Sequence, residues 1–117
     1  MYDILNIKEL DEFIYHNKNK VIMLYFGAIW CGPCKKLKDK LTDSSELINM
    51  PDLTICYIDI EIAENKEIVD IYNVTNLPTI FFINLNENNE VEIINKIIGY
   101  DWVGIQFAYN RIKNMCL

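Results

Sequence analysis

Cys31 and Cys34 bracket Gly32 and Pro33 in the stretch FGAIWCGPCKKLKDKL, residues 26–41. A C-x-x-C pair serves three kinds of chemistry: half of a tetrahedral metal site, a structural crosslink, or a dithiol that opens and closes as its function. Zinc needs four ligands, usually from two such pairs or from one pair and spaced histidines. The other candidates here are Cys56, Cys116 and the lone His16, no two of them adjacent. Cys56 lies within an apolar run, Cys116 stands next to the C-terminus and His16 closes an amphipathic segment, so no metal is expected. The opening MYDILNIKELDEF is acidic, with neither a basic nor an apolar leader segment. The expected location is therefore the cytoplasm, where thiols are held reduced and four cysteines do not make a crosslinked scaffold.

The neighbours of the pair favour the dithiol. VIMLYF before it reads as a strand and KKLKDKL after it as a helix beginning near Gly32. Cys31 then sits at a helix N-terminus, where unpaired amides and the helix dipole favour a thiolate. An ordinary thiol, with a pKa of about 8.5, is only a few per cent ionised at neutral pH, so this placement bears directly on reactivity. Gly32 permits close approach of a substrate backbone, and Pro33 suits a first turn in which its missing amide is not needed. Cys34 falls one turn inward and more buried, as a resolving thiol should.

The elements that must position these residues alternate between strand and helix. Asn6 and Glu9 form a candidate capping box for a helix running to about Asn17, with Leu10, Phe13 and Ile14 on one stripe. KVIMLYF (20–26), LTICYIDI (53–60) and TIFFINL (79–85) are strands, the first two continuous enough to be buried on both faces. ENKEIVDIY (64–72) is helical, and NENN (86–89) turns into the partner strand VEIINKIIG (91–99) of a hairpin. Asp101 caps a last helix whose Trp102, Ile105, Tyr109 and Ile112 recur at helical spacing. The pattern predicts one domain over residues 1–117 in the α/β class, with a mixed sheet: parallel through crossovers, antiparallel at the hairpin.

Composition narrows the partners. A net charge of −6 and a pI near 4.7 repel nucleic-acid phosphates and anionic lipid, so neither nucleic acid nor membrane is an expected partner. The 51% hydrophobic content suits a packed core, and no run is long enough to span a bilayer.

WCGPCK at 30–35, the apolar strand before it, NLPT at 76–79 and the glycine of IIGY at Gly99 together resemble the thioredoxin family, over essentially the whole chain. The resemblance implies a thioredoxin fold, a central mixed sheet of about five strands with helices on both faces, and protein-disulfide reductase activity. It implies that Pro78 is cis and lies against the dithiol, and that the backbone of Leu77 pairs with the substrate chain. Trp30 would wall the dithiol. Cys31 and Cys34 would be the catalytic pair, with Trp30, Gly32, Pro33, Leu77, Pro78 and Gly99 contacting substrate. No cofactor would be bound. Electrons would come from an external NADPH-dependent flavin enzyme, a thioredoxin reductase, the other partners would be disulfide-containing proteins, and the chain would act as a monomer.

Several residues depart from the family pattern. A buried Asp usually stands where this chain has Tyr25, and it is held to help deprotonate the second cysteine. Asp59 on the next strand is the expected substitute carboxylate, placed against the alternative that it marks the exposed strand end. An aromatic residue usual shortly before the motif is replaced by Gly27, which would loosen the substrate groove. Asp39 replaces a helix-kinking proline. Lys35, Lys36, Lys38 and Lys40 make either an ordinary solvated face or a steering patch for acidic targets. Cys56 is expected to be a core residue, Cys116 an inert helix end or a site of capping or dimerisation. The rival reading is an interaction module that keeps the fold and uses its dithiol little.

Overall fold

The structure, a computed structural model, describes residues 1–116, with the side chain of Cys116 and all of Leu117 outside the description. Its five strands are β1 (Tyr2–Ile4), β2 (Val21–Gly27), β3 (Leu53–Asp59), β4 (Thr79–Leu85) and β5 (Val91–Ile98). The helices are α1 (Ile7–His16), α2 (Gly32–Leu41), α3 (Ser44–Leu47), α4 (Lys66–Tyr72) and α5 (Trp102–Cys116). The strands form one sheet in the order β1-β3-β2-β4-β5. β1, β3 and β2 are parallel, and β4 and β5 add on antiparallel, as crossover and hairpin connections require.

The all-apolar β2 is buried at every position, because helices cover both sides of the sheet centre. Its odd-numbered residues Val21, Met23 and Tyr25 pack with Cys34, Leu37 and Leu41 of α2 and Ile105, Ala108, Tyr109 and Ile112 of α5. Its even-numbered residues Ile22, Leu24 and Phe26 pack on the other side with Leu10 and Ile14 of α1 and Ile68 of α4. One strand thus holds two half-cores. Fully burying each such side chain contributes about 1.5–3 kcal/mol.

The helix starts follow their capping residues. Asn6 accepts the Glu9 amide at 2.9 Å, and Asp101 accepts the Gly104 amide at 2.9 Å. The expected mixed sheet and helices on both faces are present. Two elements had no signal in the sequence reading: β1, three residues of which only Ile4 is buried, and the one-turn α3. Asn65, fully buried between β3 and α4, donates at 3.1 Å to the carbonyls of Ile4 and Asp59 and so ties β1 to the end of β3. Among the described residues no helix is long and apolar enough to cross a membrane.

Candidate active site

The site lies where β2 and β3 end and α2 begins, at the carboxyl edge of the parallel part of the sheet. Cys31 itself is the N-cap of α2. Its backbone is extended (φ −86°, ψ 112°) and its sulfur accepts the amide of Cys34 at 3.2 Å, with Pro33 in the first turn. Cys31 and Cys34 are joined as a disulfide, their Cα atoms 5.2 Å apart. Both are buried, Cys31 at 6% and Cys34 at 3% exposure, with Cys31 on the side of the cleft.

That cleft, of about 530 Å³, is lined by Trp30, Cys31, Gly32 and Pro33 on one side and by Ile60, Val69, Val74 and the run Thr75 to Leu77 on the other. Trp30 stands 67% exposed, its indole N–H donating to the Glu61 carboxylate. The Leu77–Pro78 peptide is cis, and Pro78 is buried. Gly99, at φ +84°, donates its amide to the Pro78 carbonyl at 2.8 Å; a left-handed backbone of this kind is open to glycine at no steric cost. The structure thus brings Trp30, Cys31, Gly32, Pro33 and Leu77 to one cleft, while Pro78 and Gly99 join from behind through that hydrogen bond. Ile60, Val69 and Val74 were not anticipated. They come from separate segments, and their only sequence signal was apolar spacing.

Behind Cys34 the surroundings differ from expectation. Tyr25 is 1% exposed, and its hydroxyl donates to the Cys34 carbonyl at 2.5 Å. The register places Tyr57, not Asp59, opposite Tyr25, and pairs Asp59 with Gly27. The two tyrosine rings meet edge to face with centroids 5.0 Å apart. Asp59 shares a face with Tyr57 because residues two apart on a strand do, yet it lies one step nearer the strand end. Its Oδ1 accepts the Glu61 amide at 2.9 Å. The residue opposite Tyr25 is thus Tyr57, with Asp59 two positions further along β3.

A second cavity, of about 290 Å³, is lined by Tyr25, Ala28, Ile29, Cys34, Lys35, Lys38 and Tyr57. A further one, holding Asp59 and Asp3, shares Ile29, Lys38 and Tyr57 with it. Gly27 keeps the inner space open: a Cβ there would stand 3.1 Å from a ring carbon of each tyrosine and 3.4 Å from the Cys34 sulfur. Burial, reinforced by Asp59 and Asp3, pushes the Tyr57 phenol up to about 12. Burial also raises the Tyr25 phenol, helped by Tyr57 and Asp39. Both phenols are therefore protonated at physiological pH.

On α2, Leu37 and Leu41 turn inward while Lys35, Lys36 and Lys38 are exposed, as a solvated face requires. Lys36 lies over the Tyr100 ring at 4.7 Å and Lys38 over the Tyr57 ring at 5.2 Å. Cys56 is fully buried on the opposite face of the sheet. The question raised over Cys116 falls outside the described side chains.

Residues 2–98 match the family model described as Thioredoxin. Among curated proteins, the chain is 29% identical over 110 residues to Thioredoxin 3 of Plasmodium falciparum, an alignment covering 93% of this chain and 57% of that one. It is 32% identical over 83 residues to Thioredoxin-T of Drosophila melanogaster, covering 71% and 51%. The chain therefore spans little more than half the length of these relatives. Among solved structures it resembles Trichomonas vaginalis thioredoxin at 25% identity, with a TM-score of 0.80 and 96% of each chain covered. A Plasmodium falciparum thioredoxin superposes with a TM-score of 0.76 at 28% identity, over 93% of this chain and 84% of that one.

Proposed function

Because this chain belongs to the thioredoxin family, we propose that its Cys31–Cys34 pair reduces disulfides in protein substrates by dithiol exchange. The observation that carries the reading is the Cys34 amide directed at the Cys31 sulfur, at the edge of an open cleft. In the reduced state that hydrogen bond and the start of α2 favour the thiolate of Cys31. The thiolate attacks one sulfur of a target disulfide, forming a mixed disulfide and releasing the other target sulfur as a thiolate. Cys34 then attacks the Cys31 sulfur, closing the intramolecular bond and releasing the second target thiolate. The two cysteines lose two electrons and the target gains them.

In this reading Cys31 is the nucleophile and Cys34 the resolving thiol. Trp30, Gly32, Pro33 and Leu77 receive the substrate segment, with Pro78 and Gly99 shaping the cleft floor. Asp59 lines the outer cavity, which shares Ile29, Lys38 and Tyr57 with the one at Cys34, and relays the resolving thiol's proton on its way to water. The whole of 1–117 acts as one domain and one monomer. It carries no cofactor and is returned to the dithiol by an external NADPH-dependent flavin reductase, a thioredoxin reductase. A pair that acts in its reduced form suits a reducing compartment such as the cytoplasm.

The test is reduction of insulin by dithiothreitol with catalytic amounts of this protein. Acceleration by the parent chain that vanishes in Cys31→Ser supports the reading. Equal rates with and without the protein, or activity surviving the substitution, favours an interaction module instead.

A further inference from the structure

Residue 34 is gripped at both ends. Its amide donates to the Cys31 sulfur at 3.2 Å, and its carbonyl accepts the Tyr25 hydroxyl at 2.5 Å. A carbonyl has two lone pairs, so it can take the hydroxyl while serving the helix ladder. The hydroxyl therefore fastens the first turn of α2 to the C-terminal half of β2 at the resolving cysteine. The Cys34 sulfur, meanwhile, stands at the space left by the missing side chain of Gly27, among the rings of Tyr25 and Tyr57.

Among the described residues, no carboxylate lines the cavity that opens from this space. Its titratable groups are the two phenols and, from α2, Lys35 and Lys38. Asp39 of α2 acts on Tyr25 from nearby, and Asp59 of β3 and Asp3 of β1 act on Tyr57 from the outer cavity. A neutral phenol with a raised pKa is a poor base, so neither tyrosine takes a proton from a thiol at neutral pH.

We propose that Tyr25 is a positioning residue for the resolving step: by holding the Cys34 carbonyl it keeps the Cys34 sulfur on the Tyr57–Lys38 cavity, through which the thiol's proton leaves to water. The inference rests on the dithiol-exchange reading and specifies its second half. In the mixed disulfide, Cys34 gives its proton to solvent in the cavity and its sulfur attacks that of Cys31. The Cys31–Cys34 bond forms, the bond from Cys31 to the target breaks, and the departing thiolate is protonated by water. Lys38, at the cavity wall, favours the Cys34 thiolate by its charge.

The test uses the reduced full chain in single turnover with dithiobis(nitrobenzoate). The first thionitrobenzoate is released when Cys31 attacks, the second when Cys34 displaces it, so the two halves are timed separately. In Tyr25→Phe the ratio of second to first release should fall about tenfold, with the pH midpoint of the second release moved upward. Lys38→Met should also raise that midpoint, and Lys38→Arg should restore it. A purely structural role would lower the melting temperature and leave the midpoint in place. Should Tyr25→Phe fail to fold, Tyr57→Phe and the Lys38 pair carry the same measurement. An unchanged ratio and midpoint in the folded variants overturns the proposal. Absence of the first release in the parent overturns the exchange reading itself, and this proposal with it.

Discussion

The amide of Cys34 lies 3.2 Å from the sulfur of Cys31, so the proposed nucleophile is also the N-cap of the helix it begins. On the proposed reading, catalysis and folding share one atom. Serine caps helices well and alanine does not, a difference of about 0.5–2 kcal/mol. Cys31→Ser should therefore keep the stability of the reduced parent, while Cys31→Ala loses about 1 kcal/mol in urea unfolding. Both should lose disulfide exchange. Equal stability of the two variants would mean that the sulfur contributes nothing as a cap.

Cys34→Ser removes the proposed resolving thiol and leaves Cys31 in place. Incubation with a disulfide-containing protein should then accumulate a mixed disulfide, visible on a non-reducing gel and cleared by dithiothreitol. No adduct with any disulfide substrate would contradict the order of attack.

Gly27→Ala sets a methyl 3.1 Å from the rings of Tyr25 and Tyr57, one fully buried and the other half-buried. Overpacking of this kind costs about 1–3 kcal/mol, and the new methyl would also narrow the space beside the Cys34 sulfur. Thermal unfolding should shift downward and the second thionitrobenzoate release should slow more than the first. A variant as stable and fast as the parent would show that both rings yield freely.

Asp59→Asn keeps an oxygen for the Glu61 amide and removes the carboxylate facing the outer cavity. The second release should slow about threefold, a change of less than 1 kcal/mol in barrier, because the group acts from a distance. A rate equal to the parent's after correction for stability would remove Asp59 from the proton path.

Alkaline pH should unfold the chain earlier than ion pairs alone would. The Tyr57 and Tyr72 phenols are pushed up to about 12 by burial, so the folded state binds their protons more tightly than the unfolded one. Their contribution is fully present below the unfolded value of about 10 and is lost as pH rises through 12. Phenolate absorbance followed against pH should show these groups ionising together with loss of far-UV signal. Titration of every tyrosine near its ordinary value, with the fold intact, would contradict this.

How much of this was legible in the sequence differs by element. β2 was readable because a run such as VIMLYF suits a strand covered on both faces, β4 because TIFFINL is an apolar run of strand length, and α5 because Ile105, Tyr109 and Ile112 keep helical spacing after the Asp101 cap. β1 was not, since three residues with one buried side chain carry no periodicity; its place depends on pairing with β3, 54 residues on. The dithiol and its cap were readable from local order alone. The surroundings of Cys34 were not, because they depend on a register between strands: a shift of two residues preserves the face, and so exchanges Asp59 for Tyr57 without disturbing the hydrophobic pattern. The far wall of the cleft was equally hidden, since Ile60, Val69 and Val74 meet only once three segments are folded together.

Cys56 lies beneath the sheet from the reactive pair, and burial pushes its thiol well above the ordinary range. The sheet stands between the two sites: a thiol kept protonated on the far face does not attack the Cys31–Cys34 disulfide. Alkylation of the native, reduced chain should accordingly spare this position until the protein is denatured.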